Sequence, residues 1–180
     1  MNRVLTISEF LTRDECDSIF TKCKAELTLS EAGVVDSKLQ STRKSNVAFI
    51  EDLGFLNKKL KDVLIDTISI KGFTASKLNS FQFTEYQSGG FYEWHTDSTA
   101  TIHQNRYYSI VIQINDEYVG GELQVKENNI ETTLNTGIGN LYMFPSSMLH
   151  RVKPVTNGIR YSLVNWVELE EIINYKKTLF

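Results

Sequence analysis

Tyr107-Tyr-Ser-Ile-Val-Ile-Gln-Ile-Asn115 is the stretch from which the fold is legible. Written as an extended chain, it puts Tyr108, Ile110, Ile112 and Ile114 on one face and Tyr107, Ser109, Val111 and Gln113 on the other. The first face is apolar and has to pack. The second carries a hydroxyl and an amide and can line a polar space.

The same texture extends to both sides. The runs Leu78–Tyr86, Glu122–Lys126, Ile130–Leu134, Asn140–Phe144, Met148–Val152 and Ile159–Val167 are short and rich in strand formers. Gly120-Gly121, Asn135-Thr136-Gly137 and Asn157-Gly158 supply turn residues between them, and Pro145 and Pro154 sit at run ends. Upstream, Thr12-Arg13-Asp14-Glu15 has capping-box spacing, and Cys16, Ile19, Phe20, Cys23 and Leu27 follow at helical spacing, predicting a helix over about 13–27. Ser30–Ser41 reads as a loop and Asn46–Ile50 as a short strand. Leu53, Leu56, Leu60, Val63, Leu64, Thr67 and Ile68 predict a second helix ending near Lys71-Gly72, with Lys58, Lys59 and Lys61 on its solvated face. The fold expected is mainly β with α: a double-stranded β-helix, or cupin-like jelly roll, backed by N-terminal helices. It is read as a single domain over 1–180, with 1–77 mainly helical support, 78–167 the jelly-roll core and 168–180 a C-terminal arm or short helix.

With 41% hydrophobic and 23% charged residues, the 180-residue chain can bury a real core, which argues against disorder. Its 22 acidic against 19 basic residues give a net charge of −3, so no global positive field attracts nucleic acid or an anionic membrane. The start has no long apolar run and no stretch approaches the roughly 20 apolar residues of a membrane span, so the cytoplasm is the expected compartment. The two cysteines, Cys16 and Cys23, lie seven apart on one helix, about 10 Å at 1.5 Å per residue, too far for a disulfide. They are expected to be small buried hydrophobes.

The chemistry is expected in Tyr86-Gln-Ser-Gly-Gly-Phe-Tyr-Glu-Trp-His-Thr-Asp97. His95 and Asp97, two apart on an extended segment, project to one side and can reach one ion, and His150 in another strand-like run can complete the set. Two His and one carboxylate form the facial triad of non-haem Fe(II) oxygenases, with positions left open. The third histidine, His103, is read as bland. On Ile159–Val167, Arg160, Ser162, Val164 and Trp166 share a face, and an inward arginine needs an anion. A dicarboxylate meets that need, one end chelating the metal and the other meeting Arg160 with Ser162 as a second donor.

At these residues the sequence resembles the Fe(II)- and 2-oxoglutarate-dependent dioxygenases, within them the prolyl 4-hydroxylase-like hydroxylases, and especially bacterial PKHD-type hydroxylases. The specific portions are Tyr86-x-x-Gly89-x-x-Tyr92-x-x-His95-x-Asp97, Gly120-Gly121-Glu122-Leu123, and the run from Phe144-Pro145-Ser146-Ser147 through His150 to Gly158-x-Arg160. The resemblance implies that His95, Asp97 and His150 hold Fe(II) and that Arg160 binds the distal carboxylate of 2-oxoglutarate, with Tyr86 contacting that co-substrate. It implies that Tyr92 lies on the substrate side, together with Arg43 and Ser45 of an Arg-x-Ser motif. Trp94, Tyr142 and Trp166 are further candidates for the pocket wall. O2 is consumed, ascorbate is an optional reductant, and 2-oxoglutarate leaves as succinate and CO2. Collagen-type members commonly have lysine where Arg160 stands, which points away from a collagen-like substrate. A peptidyl proline in a protein or peptide is the leading substrate expectation. The alternatives are a free amino acid, small metabolite or nucleobase as substrate, a cupin-like metalloenzyme without 2-oxoglutarate, which Arg160 and Ser162 argue against, or a non-catalytic metal-binding jelly-roll module, for which an intact triad would be needless.

Overall fold

A computed structural model describes residues 4–32, 42–67, 73–135 and 137–171 of the chain. In order, the elements are β1 (Leu5–Ile7), α1 (Arg13–Glu26), β2 (Ser30–Glu31), β3 (Arg43–Lys44), β4 (Asn46–Ile50), α2 (Phe55–Thr67), β5 (Phe73–Leu78), β6 (Phe81–Tyr86), β7 (Phe91–His95) and β8 (Arg106–Gln113). There follow β9 (Tyr118–Gly120), β10 (Leu123–Glu127), β11 (Ile130–Thr133), β12 (Leu141–Pro145), β13 (Leu149–Val152), β14 (Val155–Gly158) and β15 (Arg160–Glu171).

The larger sheet runs β1-β12-β8-β15-β6-β4-β2, with β5 pairing the far end of β15, and the smaller runs β11-β10-β13-β7-β3. β14 and β9 form a separate two-stranded ribbon. Every pairing among the described residues is antiparallel, and neighbours such as β8 and β15 are far apart in sequence, which is jelly-roll topology.

Alternation on the strands produces two apolar layers. On the outer side of the larger sheet, Ile110, Ile112 and Leu163 pack with Cys16, Ile19 and Cys23 of α1 and Leu56, Leu60 and Leu64 of α2. Between the sheets, Val111, Tyr142 and Phe144 meet Leu123, Val125 and Val152. Each such side chain taken out of water contributes roughly 1.5–3 kcal/mol, so the helices are held by their apolar stripes rather than by propensity. The capping box is formed: the Thr12 hydroxyl accepts from the Glu15 N–H at 3.2 Å and the Glu15 carboxylate from the Thr12 N–H at 2.8 Å. Lys59, expected only to be solvated, also ties α2 to α1 through Glu15 at 2.9 Å. Both cysteines are buried and unpaired with each other, and burial pushes each thiol up to about 11.

Three expectations are corrected. Leu78–Tyr86 is not one strand: Asn79 donates its N–H and its side-chain amide to the Trp166 carbonyl, breaking the run into β5 and β6. The described part of residues 1–77 contributes five strands as well as two helices; β4 was legible as a strand, but β1, β3 and β5 are held by backbone pairing to distant partners that a local period cannot show. The first residues of the expected arm, 168–171, continue β15. The glycine stop of α2, most of the Ser30–Ser41 loop and 172–180 lie outside the described residues.

Gly139 marks the closest backbone crossing. It sits at φ +74° with its carbonyl accepting from the Leu11 N–H, and a Cβ there would collide with the Leu11 carbonyl oxygen. Gly139→Ala is expected to cost more than about 2 kcal/mol, since left-handed strain and the clash add. The check is a lowered denaturant midpoint at unchanged m-value, and an unaltered midpoint would refute the crossing.

Candidate active site

His95 ends β7 and His150 sits within β13, and the two residues are paired across the strands. Asp97 has just left β7, and its N–H and that of Ser98 donate to the Ser146 carbonyl at 2.8 and 3.1 Å, folding the carboxylate back over the histidines. His95 Nε2 lies 3.7 Å from Asp97 Oδ1, and His150 Nε2 lies 3.5 Å from Asp97 Oδ2. One donor atom from each of the three lies within 4.8 Å of the others, a spread that a single ion can bridge.

The donor chemistry fits a divalent metal. His95 Nδ1 is 2.8 Å from the Glu93 carbonyl and His150 Nδ1 2.9 Å from the Met148 carbonyl. A carbonyl only accepts, so each Nδ1 carries the proton and each Nε2 turns its lone pair to the centre. Burial, followed by the neighbouring His150, pushes His95 down to about 3, keeping it neutral as a ligand must be. Burial alone would raise the Asp97 carboxyl, but His150, His95 and a hydrogen bond from Ser109 outweigh it and keep it below the ordinary range. The Ser109 hydroxyl donates to Asp97 Oδ2 at 2.5 Å and lies 2.9 Å from the Ser146 hydroxyl. The buried Trp166 indole N–H faces Asp97 and adds to the lowering of its carboxyl, without reaching full hydrogen-bond geometry.

Ser109 and Ser146, quoted in the sequence only as part of a strand face and of a motif, had no role assigned to them at the site. Parity placed Ser109 on the inner face, but nothing local shows that it meets Asp97. Ser109→Ala is expected to weaken divalent-metal affinity about 10- to 100-fold, as losses of ligand-orienting groups do, with the fold unchanged. Metal titration by calorimetry checks this, and parental affinity would deny Ser109 the role.

A cavity of about 570 Å³ opens beside the triad. Arg160, Ser162, Val164 and Trp166 line it together, as their shared face requires, while Tyr161, Leu163 and Val167 pack in the outer layer. Arg160 is 2% exposed, yet it has no carboxylate partner among the described residues. Its Nη1 donates to the Ser162 hydroxyl at 3.1 Å, its Nε has no partner, and the guanidinium lies 5.4 Å from the centre of the Tyr86 ring. Tyr118 of β9, which no sequence pattern flagged, leaves its own buried hydroxyl without a partner close to Arg160. Gly121 makes the room: a Cβ there would stand 3.0 Å from Arg160 Cδ and 3.3 Å from the Tyr118 ring.

The remaining candidates separate. Pairing of His150 with His95 but of Val152 with Tyr92 inserts one extra residue in β7, and this bulge turns Tyr92 to the same side as His95. The two rings stack at 3.4 Å, and the Arg43 guanidinium covers Tyr92 at 4.6 Å. Ser45 does not line the cavity; its hydroxyl accepts from Arg43 Nε at 2.7 Å, so it holds the arginine rather than facing a ligand. Trp94 borders the cavity, but its ring packs with Arg151 at 4.5 Å and Lys126 at 5.6 Å, on the side of β13 away from His150. Tyr142 belongs to the inner apolar layer, where its hydroxyl accepts from Asn140, and it forms no part of the wall.

A family model described as the 2OG-Fe(II) oxygenase superfamily matches residues 81–168, the span from β6 through Arg160 that builds this site. Over those residues the chain is similar to that superfamily. Its relatives include a PKHD-type hydroxylase of Synechococcus sp., 32% identical over 97 residues that span 51% of this chain and 43% of that protein. A PKHD-type hydroxylase of Prochlorococcus marinus is 28% identical over 173 residues, 89% of this chain and 76% of the relative. The chain thus spans less than half the length of the first of these relatives. Among solved structures, the fold superposes on a prolyl hydroxylase from Trichoplax adhaerens, in complex with a hypoxia inducible factor oxygen degradation domain peptide, at a TM-score of 0.77. That similarity has 18% identity and covers 93% of this chain and 84% of the other. No helix among the described residues is long and apolar enough to cross a membrane.

Proposed function

We propose that the protein is an Fe(II)- and 2-oxoglutarate-dependent dioxygenase that hydroxylates a peptidyl proline. The observation that carries the oxygenase reading is Arg160: a buried, carboxylate-free guanidinium in the same cavity as two histidines and an aspartate presenting convergent metal donors. A buried cation without an anion is costly, and a small dicarboxylate removes that cost. His95, Asp97 and His150 would hold the metal. Arg160 would take the distal carboxylate, with Ser162 and the Tyr118 hydroxyl adding donors and Tyr86 packing beside it. When bound, iron and 2-oxoglutarate supply O2 activation, the keto acid leaving as succinate and CO2 while one oxygen atom enters a substrate C–H bond. The chain's own work is to hold the ligand rings in plane through the Glu93 and Met148 carbonyls and Tyr92, to fix Asp97 through Ser109, and to keep water from the inner cavity with Val111, Val164 and Trp166.

The prolyl substrate rests on the sequence resemblance and on the peptide-bound fold relative. The test is 2-oxoglutarate consumption against a panel of prolyl peptides, free amino acids, metabolites and nucleosides, with product masses. The expected result is peptide-stimulated decarboxylation and a gain of one oxygen atom on proline. Stimulation by a free amino acid or nucleoside, with prolyl peptides inert, would remove the peptide assignment and leave the oxygenase chemistry standing.

A further inference from the structure

Two aromatic side chains beside the triad, Tyr92 and Trp166, are covered by arginines. Arg43, on β3 of the smaller sheet, lies over Tyr92, and because His95 stacks on that ring at 3.4 Å the guanidinium takes the other face. Arg106, which opens β8 in the larger sheet, lies 3.8 Å over Trp166. Both arginines line the cavity, and neither has a carboxylate partner within salt-bridge distance among the described residues. Arg43 spends its Nε on Ser45, whereas the Arg106 guanidinium donates to no described group. Stacking fixes the plane of a guanidinium and leaves its N–H edge facing outward, ready for a planar acceptor such as carboxylate.

Charge bookkeeping shows what that acceptor must be, and it rests on the oxygenase reading. A divalent ion on Asp97 and two neutral histidines leaves +1, Arg160 adds +1, and 2-oxoglutarate cancels both. Arg43 and Arg106 remain, opposed at the rim by the exposed Glu93, while Arg106 also feels Asp97, already counted with the metal, and Glu168, its cross-strand neighbour. His103 and Arg106 also border a second, polar pocket of about 450 Å³, lined besides by Asn79, Thr101, Gln104 and Glu168. Arg106 thus stands between two hollows, an arrangement that an extended chain can use on both sides and a compact metabolite cannot.

We infer that the substrate presents a carboxylate beside the position oxidised, read chiefly by Arg106 with Arg43 across the mouth, and that its source is an acidic side chain of an extended peptide. Peptide pairs identical except for Glu or Gln next to the proline test this, with a Lys version as the opposite charge. A C-terminal prolyl dipeptide and its amide ask whether a free terminal carboxylate serves instead. The expected result is a kcat/KM at least about tenfold higher for Glu than for Gln. That ratio should fall towards 1 in Arg106→Gln and invert in favour of Lys in Arg106→Glu, which loss of packing on Trp166 would not produce. Binding is read independently by the fluorescence of Trp166 in Trp94→Phe protein, which should respond to the Glu peptide at a concentration at least tenfold below the Gln peptide.

Equal handling of Glu and Gln peptides by the parent, in turnover or in fluorescence, would overturn the inference, as would a ratio unmoved by both Arg106 variants. Preference for the dipeptide acid over every Glu peptide would overturn the side-chain source. A missing iron–2-oxoglutarate absorption band would instead sink the oxygenase reading, so the two failures are distinguishable.

Discussion

Anaerobic addition of Fe(II) and 2-oxoglutarate is expected to give the visible charge-transfer band of a chelated keto acid, and His95→Ala, Asp97→Ala or His150→Ala is expected to abolish it. Groups that merely orient ligands are worth 10- to 100-fold in metal affinity, so loss of a ligand itself should exceed about 100-fold. The three variants are not equivalent in stability. Removing Asp97 leaves Ser109 and the buried Trp166 indole without the carboxylate they face, whereas His95 removal frees the Tyr92 face on which it stacks. Folding is therefore monitored alongside by far-UV circular dichroism. A band of parental strength in both histidine variants would remove the site assignment. The band in the parent together with its loss in folded variants would establish all three ligands.

The second large effect concerns Arg160, where function and stability are expected to move in opposite directions. Deleting one partner of a desolvated ion pair costs about 2–5 kcal/mol, so Arg160→Ala or Arg160→Met should weaken 2-oxoglutarate binding by roughly 30-fold to several thousandfold. Lysine should also be weaker than arginine, because an ammonium cannot make the planar two-point contact. Without co-substrate, the charge at Arg160 has only the Ser162 hydroxyl and an aromatic face for company. Replacing such a group with an apolar side chain of similar length is expected to stabilise the ligand-free protein by about 1–4 kcal/mol. Thermal melts with and without 2-oxoglutarate read both effects: the parent gains stability from the co-substrate, and Arg160→Met starts higher and gains nothing. If Arg160→Met and Arg160→Lys bind 2-oxoglutarate like the parent, the arginine has another role.

The alternation in Tyr107–Asn115 and Ile159–Val167 was sufficient to sort Ile110, Ile112, Ile114, Tyr161, Leu163 and Val167 to the outer layer and Val111, Arg160, Ser162, Val164 and Trp166 to the cavity. A period of two is a property of the extended backbone itself and survives whatever packs on it. Helix stripes and the capping box were legible for the same local reason. The sequence could also nominate His95, Asp97, His150 and Arg160, because two His and a carboxylate form a chemically restricted set and an inward arginine demands an anion.

What only the tertiary structure decided was which groups meet across the chain. The β7 bulge, invisible to a strict alternation, brings Tyr92 onto His95 and covers its other face with Arg43, so the ring faces are not free to serve as a wall. Ser45, Trp94 and Tyr142 carry suitable chemistry, but their hydrogen bonds and packing direct them elsewhere. Ser109 against Asp97 and Tyr118 near Arg160 arise because strands 12 and 42 residues apart in sequence are folded together, and Arg106 over Trp166 arises from the β8–β15 pairing. Backbone pairing between distant strands leaves no local period behind it, so the sequence determined which residues face inward and the fold determined which of them touch.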